Sequence, residues 1–197
     1  MCPINERNDN MKKIGVIFGG MSTEHEVSIS SGTSIISNLD KQKYEIIPIY
    51  INKSGEWYKY TKPVNNITPL HVGDEITELE KIENEFECLK NLDVVFPVLH
   101  GLYGEDGTIQ GLLELLKIKY VGCKVLSSSI CMDKVYAKIV FDKAQIPQAN
   151  YVYVKAENGK YTYVHTNFDE EILNLDQICK KIENKLGLPV LDRKSVV

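Results

Sequence analysis

The apolar positions in the first two thirds of the chain form short continuous runs separated by segments with helical spacing. The run Ile14–Phe18 is short and contains β-branched residues, which is typical of a strand buried on both faces of a parallel sheet. Comparable runs at 46–51 and 93–99 predict two more strands, and helical spacing over 27–39 and 109–116 predicts two helices. Strands that alternate with helices indicate an α/β fold with a parallel, doubly wound sheet.

Weaker patterns predict the smaller elements of this part of the chain. Residues 56–60 and 120–122 each predict a short strand, and the acidic stretch 75–90 has apolar residues at roughly helical spacing, which predicts a helix. Pro48 lies inside the run 46–51. Because proline cannot donate to a sheet ladder, we expect that strand to lie near an edge.

The pattern changes near the serines at 127–129. Helical spacing predicts a helix over 132–143, and two β-type segments around the turn 157–160 predict a hairpin. A long amphipathic helix is predicted over 172–186, with Gly187 as its C-cap, and 188–190 would begin another strand. We therefore predict a disordered leader at 1–11, a first domain at 12–126, the first part of a second domain at 127–190 and a separate tail at 191–197.

Composition narrows the class of protein. The formal net charge is -4 and the pI is near 5.6, and no lysine/arginine cluster is present, so we expect no nucleic-acid partner. No apolar run approaches the roughly 18 residues of a membrane span, and no apolar segment follows the start as in a signal peptide. The five cysteines are odd in number and form no C-x-x-C pair, so we expect neither a disulfide framework nor a zinc site. We expect buried, reduced thiols in a cytoplasmic protein.

This pattern places two polar residues where they could bind a ligand or take part in catalysis. Glu24 and His100 each follow a predicted strand, and the carboxyl ends of parallel strands are where open α/β sheets bind ligands. A carboxylate there can hold an ammonium group, and an imidazole can bind a carboxylate or carry a proton. The alternative is that Glu24 caps a helix and His100 is an ordinary loop residue. The G-x-G-x-x-G spacing of dinucleotide-binding folds is absent.

Three stretches resemble the signatures of D-alanine–D-alanine ligases, in the same order. The first is GGMSTEHEVS at 19–28, the second comprises FPVLHG at 96–101 and GEDGTIQG at 104–111, and the third is CMDK at 131–134. The resemblance implies a Rossmann-like (pre-ATP-grasp) parallel-sheet domain followed by the incomplete start of an ATP-grasp domain.

The resemblance also implies a reaction and a set of site residues. ATP would phosphorylate the carboxylate of a first D-alanine to give an acyl phosphate, which the amine of a second D-alanine attacks; the product serves peptidoglycan synthesis. By matching position, Glu24 would hold the first ammonium group, and His100, Val27, Ser28 and Gly101 would belong to the same subsite. Lys134 would approach the nucleotide phosphates. The family further implies Mg²⁺, no membrane partner and a homodimer for the full-length protein.

The chain departs from the family after 188–190. The family continues into a Val-Lys-Pro strand and a phosphate-covering loop, so its Mg²⁺ ligands and catalytic arginine have no candidate here, and we expect this chain to be inactive alone. The segment 192–197 can be encoded by GATCGGAAGAGCGTCGTG, a common sequencing-adapter sequence, which favours an artefactual tail over a natural short variant. A D-serine or D-lactate ligase, and a non-catalytic Rossmann-like binding module, remain the alternatives.

Overall fold

The computed structural model describes residues 11–191, and the chain divides into two compact units after Met132. The elements of the first unit are β1 (Lys12–Gly19), α1 (His25–Asn38), β2 (Tyr44–Ile51), β3 (Trp57–Tyr60), a 3₁₀ turn (Val64–Asn66), β4 (Leu79–Lys81), α2 (Glu85–Lys90), β5 (Val94–Pro97), α3 (Thr108–Leu115), β6 (Lys119–Tyr120) and α4 (Val125–Met132). Those of the second unit are α5 (Lys134–Lys143), β7 (Tyr153–Glu157), β8 (Lys160–Val164), β9 (Glu170–Leu173) and α6 (Leu175–Leu186).

One six-stranded sheet organises the first unit, with strand order β4-β3-β2-β1-β5-β6. Strand β1 pairs in parallel with β2 and β5, and β5 pairs in parallel with β6, whereas β3 and β4 are antiparallel additions. The predicted α/β fold with a parallel-dominated sheet is therefore confirmed. Its order also places the carboxyl ends of β1 and β5 side by side.

Strand β1 is buried on both faces, which explains its continuous apolar run. Phe18 belongs to an apolar cluster with Ile29 and Ile36 of α1, while Ile17 belongs to a second cluster with Leu113 of α3. Helices thus cover both faces of the sheet, and burial of such side chains contributes roughly 1.5–3 kcal/mol each. This packing holds the ends of β1 and β5 in place.

The position of Pro48 differs from expectation. Strand β2 lies inside the sheet, between β1 and β3, and is not an edge strand. Its antiparallel neighbour β3 pairs only with residues 49–51, whereas Pro48 is in register with Val16 of β1. At Pro48 the strand therefore has a paired neighbour on one side only, which is how an interior strand tolerates the missing donor.

The helix predicted over 75–90 is wrong for its first part. Residues 79–81 form β4, which pairs with β3, and the helix is confined to α2. Leu79 and Ile82 pack against opposite apolar clusters of the sheet, so their spacing serves a strand. Asn84 then starts α2, because its side chain accepts a hydrogen bond from the Glu87 N–H.

The second unit contains a three-stranded antiparallel sheet with order β7-β8-β9 and helix α6. The predicted hairpin is present, with Asn158 and Gly159 both at positive φ in its turn. The predicted helix over 172–186 begins later, because β9 runs to Leu173 and Asn174 forms a capping box for α6. Residues 188–190 form no strand in the described chain.

Near the boundary between the units, the predicted helix over 132–143 is confirmed as α5, which begins two residues later than predicted. Asp133 separates α4 from α5, and its side chain accepts hydrogen bonds from the Val135 and Tyr136 N–H groups. Helix α4 contacts α3 and belongs to the first unit, so the structural division differs from the predicted boundary at 126. Assignment of the second unit to an ATP-grasp domain stays a prediction.

Several expectations concern the surface or the ends of the chain. The side chains of Cys123, Cys131 and Cys179 are exposed, so the expectation of buried thiols is wrong for them. Over residues 11–191, no helix is both long enough and apolar enough to cross a bilayer. Residues 1–10 of the predicted leader at 1–11 and residues 192–197 of the predicted tail at 191–197 lie outside the described residues.

Candidate functional site

Two loops meet at the carboxyl ends of β1 and β5, and they carry the two residues predicted from the sequence. Glu24 lies in the β1–α1 loop, and His100 lies in the β5–α3 loop. Ser22 joins them, because its hydroxyl donates to the His100 carbonyl at 2.6 Å and accepts from the Glu24 N–H at 3.1 Å. The structure therefore brings Glu24 and His100 to one edge of the sheet.

A second serine joins the same two strands beneath the loops. The Ser28 hydroxyl accepts a hydrogen bond from the Gly19 N–H at 2.8 Å and donates one to the Val98 carbonyl at 2.6 Å. Ser28 is fully buried. Its hydroxyl therefore links the ends of β1 and β5 by hydrogen bonds and stabilises the start of both loops.

Glu24 occupies the N-cap position of α1, but its side chain makes no capping hydrogen bond. The alternative that Glu24 caps a helix therefore holds for its position in the chain but not for its side chain. The residue is exposed, and a Cβ atom built on Gly101 would lie 2.8 Å from its Oε2 atom. Gly101 also has φ of +67°, so both its conformation and the nearby carboxylate favour glycine there.

The two glutamates at the start of α1 differ in their electrostatic partners. Glu26 forms an ion pair with Lys53 at 2.9 Å, and hydrogen bonding to this ammonium group lowers the pKa of Glu26. Glu24 has no ion-pair partner among residues 11–191. An exposed carboxylate beside a second loop and without a cation is suited to bind a cationic ligand. Val27, on the next turn of α1, is about half exposed.

The His100 ring lies between a hydroxyl and a carboxylate. Its Nε2 is 3.2 Å from the Ser31 hydroxyl of α1, and its Nδ1 is 3.7 Å from Glu105 Oε1. The other oxygen of Glu105 accepts a hydrogen bond from the Gly101 N–H at 3.0 Å. The Ser31 hydroxyl and the Glu105 carboxylate therefore flank the imidazole, which is a group that can bind a ligand carboxylate.

The β5–α3 loop is ordered by its own side chains. Asp106 accepts hydrogen bonds from the Tyr103 and Thr108 N–H groups, both at 2.9 Å. Partial burial would raise the pKa of Asp106, but these backbone donors outweigh it and hold the pKa below its usual value. The amide nitrogen of Gln110 donates to the Gly104 carbonyl at 2.8 Å. The loop that presents His100 is therefore held at several points.

A mainly apolar cavity of about 170 Å³ lies beside these loops. It is lined by Gly20, Met21, Ile51, Gly55, Trp57, Leu99, His100, Leu102, Tyr103, Thr108, Ile109 and Leu112. The His100 ring contributes a polar group to this lining, so an apolar space lies next to a polar side chain. Such a combination is usual for small-molecule sites.

The residue predicted to contact the nucleotide, Lys134, belongs to the second unit. It is the first residue of α5 and is partly buried. Among residues 11–191, no three His, Cys, Asp or Glu side chains are grouped closely enough to hold a metal ion.

Sequence reasoning missed three polar residues of the site: Ser22, Ser31 and Glu105. The two serines lie within or just after the 19–28 stretch, and Glu105 follows His100 by five positions within the second stretch. Their presence near the predicted residues was a signal. Both serines, however, contact His100 from far along the chain: Ser22 is 78 positions away and Ser31 is 69 positions away.

Comparison with known proteins relates this geometry to one family. The family model described as D-ala D-ala ligase N-terminus matches residues 13–123. The D-alanine–D-alanine ligase of Clostridium acetobutylicum is 47% identical over 187 residues, which cover 93% of this chain and 50% of that relative. The ligase of a Thermoanaerobacter species is 48% identical over 192 residues, which cover 90% of this chain and 49% of the relative.

Solved structures agree with this assignment. The VanG D-Ala:D-Ser ligase from Enterococcus faecalis superposes with a TM-score of 0.63 at 36% identity, covering 89% of this chain and 50% of that one. The D-alanine–D-alanine ligase from Bacillus anthracis complexed with ATP gives 0.53 at 31% identity, covering 88% and 54%. The chain spans about half the length of the curated relatives it matches. With its two stretches on adjacent loops and its family match over more than half its length, the chain belongs to the D-alanine–D-alanine ligase N-terminus family.

Proposed function

We propose that this chain carries the first-substrate subsite of an ATP-dependent D-alanine–D-alanine ligase that forms ADP and phosphate. The observation that carries the proposal is Glu24, an exposed carboxylate without an ion-pair partner in the described chain, joined through Ser22 to the loop of His100. The names of the relatives support the same substrate class.

In this proposal the two loops hold opposite ends of one amino acid. The Glu24 carboxylate binds the ammonium group of the first D-alanine, and the His100 imidazole, supported by Glu105, binds its carboxylate end. Ser28 and Gly101 act on the loops themselves, Ser28 through its buried hydrogen bonds and Gly101 by leaving room for the Glu24 carboxylate. Val27 offers an exposed apolar side chain near the same place.

The chemistry proposed for this bound substrate is phosphoryl transfer followed by ligation. The substrate carboxylate attacks the γ-phosphorus of ATP, ADP leaves, and an acyl phosphate forms. The amine of a second D-alanine then attacks the acyl carbon, and phosphate leaves as the peptide bond forms. The role of the subsite is mainly positioning, which is the larger part of catalysis in phosphoryl transfer.

Lys134 is proposed as a contact to the nucleotide phosphates, on the strength of the CMDK stretch and the ATP-complexed Bacillus anthracis relative. The family's Mg²⁺ would be held by residues other than those described here. The product would serve peptidoglycan synthesis in the cytoplasm, and the full-length protein would be a homodimer; these statements rest on the family resemblance.

The test is a chimeric ligase in which residues 11–132 replace the matching segment of the Clostridium acetobutylicum relative. The relative is 47% identical to this chain, so the sheet and its neighbours should be accommodated. We expect D-alanine-dependent ADP formation within about tenfold of the parent enzyme, since the same binding groups are supplied. A folded chimera without D-alanine-dependent ADP formation would overturn the proposal.

Within the chimera, Glu24→Gln should raise the KM for the first D-alanine. Loss of a charge-assisted hydrogen bond of about 1.5–3 kcal/mol corresponds to roughly 10- to 150-fold. Glu26→Gln is the matched control, because that carboxylate already pairs with Lys53. Equal effects of the two substitutions would contradict the assignment of Glu24.

A ligase that joins D-serine to D-alanine is the second candidate, favoured by the similarity to the VanG D-Ala:D-Ser ligase. The two candidates share the first substrate and differ in the second. Supplying D-serine or D-lactate as the second substrate to the full-length protein, with D-alanine as the first, separates them. A non-catalytic binding module would turn over none of these pairs.

A further inference from the structure

His25 is a buried polar residue that the proposed subsite does not use directly. It follows Glu24, begins α1 and is only 3% exposed. Its Nδ1 lies 2.5 Å from the Gly20 carbonyl oxygen, and its Nε2 lies 3.2 Å from the Tyr50 hydroxyl. A buried imidazole with both nitrogens engaged is under strong geometric constraint.

These contacts define which nitrogen carries the proton. A carbonyl oxygen can only accept, so Nδ1 must donate to Gly20. The Tyr50 hydroxyl is protonated, and burial raises its pKa further, so it can donate a hydrogen bond to Nε2. With Nδ1 donating to the carbonyl and Nε2 accepting from the hydroxyl, the ring is the Nδ1–H tautomer, and its edge-on contact with the Tyr50 ring, at 5.6 Å between centroids, fixes its orientation.

The Gly20 peptide is where this constraint acts. Gly20 has φ of +95°, and its N–H donates to the Ile51 carbonyl of β2 at 2.8 Å. The His25 ring hydrogen-bonds to the Gly20 carbonyl. The turn after β1 is therefore hydrogen-bonded both to β2 and to α1. Glu24 is the last residue of that turn, so its backbone position depends on both bonds.

We propose that His25 is a positioning residue for Glu24: as the Nδ1–H tautomer it holds the Gly20 carbonyl, and with Tyr50 it fixes the turn that presents the Glu24 carboxylate. The proposal rests on the proposed function only for what Glu24 binds. A side chain that merely filled space would need neither this tautomer nor the donor at Nδ1.

The first experiment needs no substitution. Long-range ¹H–¹⁵N spectra of the 197-residue chain should show His25 protonated at Nδ1 and unprotonated at Nε2 near neutral pH. Observation of the Nε2–H tautomer would overturn the proposal, because Nδ1 could then not donate to Gly20.

The second experiment measures the turn. In His25→Leu, amide exchange at Gly20 and Glu24 should rise about fivefold to tenfold, the equivalent of one lost hydrogen bond, while Ile17 keeps its protection. His25→Asn can donate from near the Nδ1 position and should restore most of the protection. Unchanged exchange in His25→Leu, or no rescue by asparagine in a folded variant, would refute the positioning role.

A D-alanine titration monitored at the Glu24 amide separates this inference from the proposed function. Weaker D-alanine-dependent shifts in His25→Leu than in the wild-type chain are the expected result, and equal affinities would count against positioning. If the wild-type chain showed no D-alanine-dependent shift, the proposed function would lose support, while the tautomer and exchange results would still decide the role of His25.

Discussion

Replacing Ser28 with alanine should destabilise the first unit more than any ordinary serine substitution on α1. The hydroxyl is fully buried and bonds the Gly19 N–H and the Val98 carbonyl, so Ser28→Ala leaves two backbone groups without this partner. An unsatisfied buried group costs about 1–3 kcal/mol, which gives about 2–4 kcal/mol for the pair after some relaxation. That is a large share of the roughly 5–15 kcal/mol by which a domain is stable.

Urea unfolding followed by tryptophan fluorescence measures this loss of unfolding free energy in the first unit. The chain has 1 tryptophan, Trp57, and it lies on β3 of the first unit. Ser30→Ala, on the same helix and only partly buried, is the control and should stay within about 0.5 kcal/mol of wild type. If Ser28→Ala were equally mild, the view that this hydroxyl joins the ends of β1 and β5 would be wrong.

Three further predictions follow from individual residues. Gly101→Ala should raise the KM for D-alanine in the chimera without melting it, because the methyl group would lie 2.8 Å from the Glu24 carboxylate, which is proposed to bind the substrate, and φ is +67°; an unchanged KM would contradict this. Gly32→Ala should lower the free energy of unfolding by about 1–3 kcal/mol, since its Cβ would lie 2.4 Å from a buried phenylalanine, whereas Gly111→Ala, with open space around it, should not. The Lys81 ammonium, with Asn52 and Tyr58, lowers the pKa of Glu56 from 4.5 to about 2. The contribution of the ionised Glu56 carboxylate to stability is therefore present above pH 4.5 and is lost as the pH falls toward 2. NMR titration of the Glu56 carboxyl group should show the lowered pKa, and Lys81→Met should raise it.

Much of the first unit could be predicted from local patterns. The run Ile14–Phe18 is apolar at every position except Gly15 because β1 is buried on both faces, and that requirement is visible without knowing its neighbours. The placement of Glu24 and His100 at strand ends follows from the same pattern, since parallel strands expose their carboxyl ends at one edge. The family resemblance added the substrate, which no periodicity contains.

Only the tertiary structure decided which side chains meet at that edge. Glu24 and Glu26 are both glutamates at the start of one helix, yet Lys53 from a distant loop pairs with Glu26 and not with Glu24. Ser28 reaches Val98 across 70 positions, and Ser22 reaches His100 across 78. Residues 79–81 became a strand because the edge of β3 was available to pair, although their spacing is equally compatible with a helix. Local spacing determines which backbone form is possible, but partners and pairing depend on strand order, which is a property of the folded sheet.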